Sequence, residues 1–218
     1  MGSALTFLSR YHEEGEEFLS QIVTGDETWV SYVNTEQKRQ SMEWGHTSSP
    51  RKPVKCRQTF STRKLMATVF WDKKGIILVE FMERGTTINA AVYSDTLKKL
   101  RRAIQNRRRG MLTSGIVLLH DNARPHTAAR TQDLLNSFGW NIFEHPPYSP
   151  DLAPSDFHLF PNMKKWLGSQ RFTDDEELKN SVSGWLRAQA ADFYAAGIEK
   201  LVTRYDKCLN NFGNYVEK

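Results

Sequence analysis

The stretch that most restricts this 218-residue chain is GIVLLHD at positions 115–121. Four consecutive apolar residues, Ile116 to Leu119, stand between a glycine and a His-Asp pair. They are too few for a helix and lack the alternation of a half-buried strand. A strand apolar on both sides has to be covered on both sides, which is the situation of an interior parallel strand. Parallel neighbours are joined only through crossovers of a dozen residues or more, and helical patterns flank this run. Upstream, Tyr93, Leu97, Leu100 and Ile104 recur at offsets of 4, 7 and 11, leaving a basic opposite face, and the helix they imply ends near Gly110. Downstream, Pro125 suits the first turn of a helix running to about Phe138, and WNIFEH follows as a further strand.

The remaining segments complete the same design. Residues 4–19 have a helical pattern, and QIVTGDETWVSYV carries the β-branched and aromatic residues of a buried strand that holds Asp26. LMATVFWD and GIILVEFMER flank a turn at Lys73, Lys74 and Gly75, a hairpin signal. Beyond WNIFEH, the loop PPYSPDLAP is too rich in proline for regular structure, and Ser155 is placed to cap a helix beginning at Asp156. Two more helices finish the chain, the last with Ile198, Leu201, Val202, Tyr205, Cys208, Leu209 and Phe212 as its core stripe. The expected fold class is α/β: a mixed five-stranded sheet flanked by helices on both faces. Residues 1–3 resemble an expression-vector remnant, and 4–218 are expected to form one domain. Within it, residues 34–64 are polar, contain Pro and many Arg and Lys, and are weakly periodic, so this segment is expected to protrude as an arm.

Several function classes drop out. No apolar run approaches transmembrane length, so no membrane partner is expected. Cys56 and Cys208 are too few for a disulfide framework and lack the spacing of a structural zinc site. With 30 Lys and Arg against 25 Asp and Glu and a pI of about 9.2, a polyanionic partner is plausible on charge.

Carboxylates occupy telling places. Asp26 lies on the first strand, Asp121 at the carboxyl end of the fourth, and Asp156 at the start of a later helix. Functional groups in open α/β sheets collect just beyond strand ends. Cleaving or transferring a phosphodiester needs an activated nucleophile, charge neutralisation at phosphorus and a stabilised leaving oxygen, which two metal ions roughly 3.5–4 Å apart provide together. Hard oxygen ligands select Mg²⁺ or Mn²⁺, so three convergent aspartates suit that role.

HDNARPHT at 120–127 and HPPYSPDLAPSDFHLF at 145–160 resemble two signature blocks of mariner transposases, and VTGDETW at 23–29 resembles the third. Between Asp121 and Asp156 lie 34 residues, the mariner Asp-Asp-(34)-Asp spacing. The resemblance extends over essentially the whole chain, DFYAAGIEKLVTRYDKCL near its end included. It implies an RNase H-like fold of the retroviral-integrase superfamily, with Asp26, Asp121 and Asp156 as catalytic metal ligands for Mg²⁺, replaceable by Mn²⁺, as two ions per site. It also implies cut-and-paste transposition: cleavage at transposon ends, then transfer of the 3′-hydroxyl into TA target sites, by a nuclear homodimer. The segment at 34–64 then matches a clamp-like arm reaching the partner subunit. Such enzymes carry paired helix-turn-helix modules ahead of this domain, which nothing upstream of Asp26 could house, so an excised catalytic domain is expected.

Competing assignments need weighing. Asp151 lies five residues before Asp156, but between Pro150 and Pro154 and off the motif's third position. Glu27 adjoins Asp26, yet strand alternation sends the two side chains to opposite faces. His120, Asn122, Arg124 and His126 could contact a phosphate or orient a ligand. His145 and His158 have no partner evident in the sequence. Lys98, Lys99, Arg101, Arg102, Arg107, Arg108 and Arg109 put seven cations in twelve positions, a solvated helix face or a DNA-backbone contact. Of these, Arg101, Arg102, Arg107, Arg108 and Arg109, with Arg124 and His126, are the candidate DNA contacts. Trp29, Trp71, Trp140 and Trp185 sit in apolar patterns and are expected in the core. The rivals to a transposase are a nuclease without strand transfer and a domesticated DNA-binding protein.

Overall fold

The computed structural model describes residues 2–33, 64–168 and 170–216. The arm expected at 34–64 therefore lies outside the described residues, apart from Lys64, which opens a strand. Five strands form one sheet: β1 (Ile22–Ser31), β2 (Lys64–Asp72), β3 (Gly75–Phe81), β4 (Val117–Leu119) and β5 (Asn141–Ile142). Their order is β3-β2-β1-β4-β5. β1, β2 and β3 are antiparallel, whereas β4 runs parallel to β1 and β5 parallel to β4. This is the mixed, RNase H-like sheet that the sequence led us to expect.

Side-chain alternation divides the core into two layers. Ile22, Val69, Trp71, Val117 and Leu119 join one cluster, with residues of α1 (Gly2–Glu14), α2 (Glu16–Gln21), α7 (Phe160–Leu167), α8 (Asp175–Ala188) and α9 (Ala191–Asn210). Val23, Phe70 and Leu118 point the other way, toward Tyr93, Leu97, Leu100 and Ile104 of α3 (Ala90–Arg107), Met111 of α4 (Arg109–Ser114) and Leu135 of α6 (Ala129–Phe138). All four residues of the predicted α3 stripe are thus buried. Asn89 caps α3, its side-chain oxygen accepting from the amides of Ala91 and Val92.

Boundaries depart from expectation where local chemistry intervenes. Gly15, at φ 60°, splits the first helix into α1 and α2. The fourth strand stops at Leu119, leaving Asp121 two residues beyond its end instead of within it. The helix opened by Pro125 is also two pieces, α5 (Arg124–Thr127) and α6. PPYSPDLAP contains a 3₁₀ turn, Pro150–Leu152. Phe212, read as part of the last apolar stripe, lies past α9 at φ 55° and is 82% exposed. Trp29 is not core either, being 46% exposed with the Lys64 ammonium 4.0 Å from its ring centre, whereas Trp71 and Trp140 are buried.

Candidate active site

The register between β1 and β4 brings the first two aspartates together. Thr24 stands opposite Leu119. Two residues further along each chain come Asp26, still on β1 and on the face that carries Ile22, and Asp121, just past the end of β4. Gly25 serves this arrangement sterically. It pairs with Phe70 across β1 and β2, and a Cβ there would lie 2.2 Å from two atoms of the Phe70 ring. Only glycine lets that ring lie over the strand beside Asp26.

The carboxylates are held differently. Asp26 Oδ1 accepts the Glu27 amide at 2.7 Å. Burial, followed by the charges of Asp156, Glu27 and Asp121, nonetheless pushes its pKa up to about 8. Burial also works to raise Asp121, but the His126 imidazole and the Ala123 amide hold this carboxyl below the usual range. His126 Nδ1 lies 2.6 Å from Asp121 Oδ1 as an ion pair and 3.3 Å from the Asp121 main-chain carbonyl, to which it is hydrogen-bonded, while Ala123 N–H donates to Oδ1 at 3.1 Å. The His126 pKa stands at about 9 despite burial, because Asp121 and Glu27 flank it.

Asp156 is exposed, on a π-helical turn, Ser155–Leu159, that runs into α7. Burial and the Asp121 charge raise its pKa, with Lys164 opposing them. The expected Ser155 cap is not formed. Instead the Ser155 hydroxyl accepts the indole N–H of Trp71 on β2 at 3.1 Å. His158 secures the other end of the turn, its Nε2–H donating to the Phe193 carbonyl at 2.8 Å. Gly197 of α9 packs against both anchors, since a Cβ there would fall 2.6 Å from His158 Cδ2 and 2.7 Å from Trp71 Cη2. Gly197→Ala is therefore expected to cost about 1–3 kcal/mol and to shift the Asp156 turn, measurable as a lowered urea midpoint. A wild-type midpoint would show that the turn is not pinned from this side.

A small cleft lined by Thr24, Gly25, Asp26, Leu119, His120, Asp121, His145, Ala153 and Ser155 opens over these groups. Among the described residues, no three His, Cys, Asp or Glu side chains gather into a ready metal cage. The donors nevertheless fit a hard dication in kind and in charge. Burial and then the neighbouring carboxylates disfavour the Asp26 charge, which a cation in the cleft would stabilise, and His145 Nδ1 in the same cleft is buried without a hydrogen-bond partner among the described residues. Asp26 and Asp121 both line the cleft, whereas Asp156 lies outside its lining and is coupled to them through charge.

Other expected site residues change role. His126 is only 2% exposed, so the candidate DNA contact is an internal group. Arg108 pairs with the buried Asp72 at 2.7 Å and belongs to the scaffold. Lys98 and Lys99 are paired with Asp95 and Glu80, and Arg101 lies 4.6 Å over the Phe138 ring. Arg102, Arg107, Arg109 and Arg124 remain exposed. Asp151 lies outside the carboxylate group, in the 3₁₀ turn of the proline-rich loop, and is buried, with one oxygen accepting the Val216 amide at 2.7 Å. Glu27, in the sequence only a rival of Asp26, and His120, a candidate phosphate contact, pack around His126 together with Tyr93, in the sequence only part of the α3 apolar stripe.

Comparison with known proteins bears on this geometry. A family model described as "Transposase (partial DDE domain)" matches residues 34–114. The mariner Mos1 transposase of Drosophila mauritiana is 39% identical over 212 residues, which are 96% of this chain and 60% of that protein. The chain thus spans about 60% of the length of this relative. The crystal structure of the Mos1 catalytic domain superposes with a TM-score of 0.81 at 37% identity, covering 99% of this chain and 93% of that one. The Mos1 paired-end complex solved with Mn gives a TM-score of 0.89 at 38% identity, covering 99% of this chain and 62% of that one.

Proposed function

Because this chain belongs to the mariner transposase family, we propose that it cleaves DNA phosphodiesters at transposon ends and then joins the freed 3′-hydroxyl to target DNA at TA sites. The observation that carries this reading is the cleft lined by both Asp26 of β1 and Asp121, just past the parallel β4, with the Asp156 charge felt at Asp26.

Asp26, Asp121 and Asp156 would hold two Mg²⁺ or Mn²⁺ ions. Bound there, the metal supplies charge neutralisation at phosphorus and a lowered pKa for the attacking water or hydroxyl. Everything else the protein does is positioning. Asp26 is fixed on the rigid strand, Asp121 is aimed by its hydrogen bonds, and Asp156 rides on a turn pinned by Trp71 and His158. No side chain acts as a covalent nucleophile, so one site serves both cutting and joining. Exposed Arg102, Arg107, Arg109 and Arg124, together with Arg101, would contact DNA phosphates. The working enzyme is a homodimer acting in the nucleus.

The test is a strand-transfer assay with a pre-cut transposon end and a target duplex containing TA. This reading requires a joined product at TA that depends on Mg²⁺ or Mn²⁺. Nicks without joined product would make the protein a simple nuclease, and binding without either would make it a domesticated DNA-binding protein.

A further inference from the structure

Asp121 lies in a loop just past β4 with its side chain 46% exposed, where a carboxylate would ordinarily rotate freely. It is not free here. Oδ1 is ion-paired with the His126 imidazole at 2.6 Å and accepts the Ala123 amide at 3.1 Å, while the same imidazole nitrogen is hydrogen-bonded to the Asp121 main-chain carbonyl at 3.3 Å. A carboxylate oxygen offers about two lone-pair directions, so Oδ2 is the oxygen left for a ligand.

The imidazole is itself fixed on all sides. Its far nitrogen lies 3.6 Å from Glu27 Oε1, which the Thr68 hydroxyl also approaches at 3.5 Å. The Tyr93 ring centre is 3.9 Å from that of His126, and the His120 ring lies nearly parallel at 5.1 Å. Tyr93 and His120 are in turn joined by a 2.7 Å hydrogen bond between hydroxyl and Nδ1. β1, α3 and the segment after β4 thus converge on one side chain. Glu27 follows Asp26 on β1 but projects from the opposite face, so it reaches the site only by way of His126.

We propose that His126 is a positioning residue: clamped by Glu27, it fixes Asp121 Oδ1 so that Oδ2 faces the metal position shared with Asp26. This rests on the metal-carboxylate reading above. It makes Glu27 a working member of the site without making it a ligand. Partners that orient metal ligands in this way typically change metal affinity by 10–100-fold when removed.

The test is a Mn²⁺ titration of this chain, with free Mn²⁺ read by electron paramagnetic resonance, on the wild type and four variants. His126→Asn sets an amide nitrogen where Nδ1 stood and can keep the bond to Asp121. His126→Gln sets one where Nε2 stood and loses it. Positioning predicts that His126→Gln weakens Mn²⁺ binding about tenfold or more, while His126→Asn stays within a few-fold of wild type. Equal losses in both variants, or wild-type affinity in His126→Gln, would overturn the proposal, because mere packing does not distinguish the two nitrogens. Should metal-free melting show either histidine variant unfolded, Glu27→Gln decides. It keeps the shape of the side chain, and positioning requires it to bind Mn²⁺ more weakly; unchanged affinity overturns the proposal. Asp121→Asn separates the two levels of the argument: if it binds Mn²⁺ like the wild type, the metal reading itself fails.

Discussion

Asp156→Asn is expected to lower metal-dependent cleavage of a transposon-end duplex by at least about 10³-fold, while leaving the metal-free protein as stable as before or slightly more so. An amide oxygen is a weaker ligand for a hard dication, so the half of the site that Asp156 completes is lost. Without metal the sign differs. Burial and the Asp121 charge already disfavour the Asp156 carboxylate, with Lys164 opposing, so removing its charge relieves repulsion. Asp151→Asn is the matched control. Its oxygen can still accept the Val216 amide, and it lies outside the carboxylate group, so cleavage should stay within a few-fold of wild type. Full cleavage by Asp156→Asn combined with inactivity of Asp151→Asn would mean that the third carboxylate has been misassigned.

The second large effect concerns stability and pH. The Asp26 pKa is about 8 in the fold against an ordinary 3.8, so the folded state holds this proton more tightly than the unfolded chain. The associated stability is complete below about pH 4 and is lost as pH rises toward 8. Asp26→Asn cannot ionise, and its side-chain oxygen can still accept the Glu27 amide. Its advantage over wild type should therefore be small at pH 4 and grow to at least about 2 kcal/mol at pH 8. For a chain of this size that is roughly a 4–8 °C rise in melting temperature. Saturating Mg²⁺ should reverse the order at pH 8, because the wild type gains binding energy that the variant cannot. A melting difference independent of pH between 4 and 8 would show that burial and the neighbouring carboxylates do not raise the Asp26 pKa.

Much of this site was legible in the sequence because its parts are short and contiguous. GIVLLHD has the pattern of an interior strand leading to Asp121, and the three blocks mark Asp26, Asp121 and Asp156 as the candidate carboxylates. Less legible was whatever depends on which surfaces meet. Trp29 lies in an apolar strand pattern, but it is 46% exposed with the Lys64 ammonium over its ring, and pattern alone does not tell an edge from a core. Ser155 has the chemistry of a helix cap, yet the Trp71 indole, 84 residues away in sequence, claims its hydroxyl. His126 and Glu27 were weighed as separate neighbours of separate aspartates. Their pairing follows from α5 folding back past β4 toward β1, a tertiary fact with no local signature beyond the five-residue interval from Asp121 to His126. Arg108 looked like one cation in a run of seven, and its buried partner Asp72 lies in the hairpin.

The most direct test of the central claim is anomalous diffraction from crystals of this protein grown in Mn²⁺. The account predicts density between Asp26 and Asp121, weak without DNA because substrate phosphate helps complete the metal shell. It predicts a second, stronger density involving Asp156 once a transposon-end duplex is bound. Density at a histidine cluster, with the aspartates empty at high Mn²⁺, would contradict it.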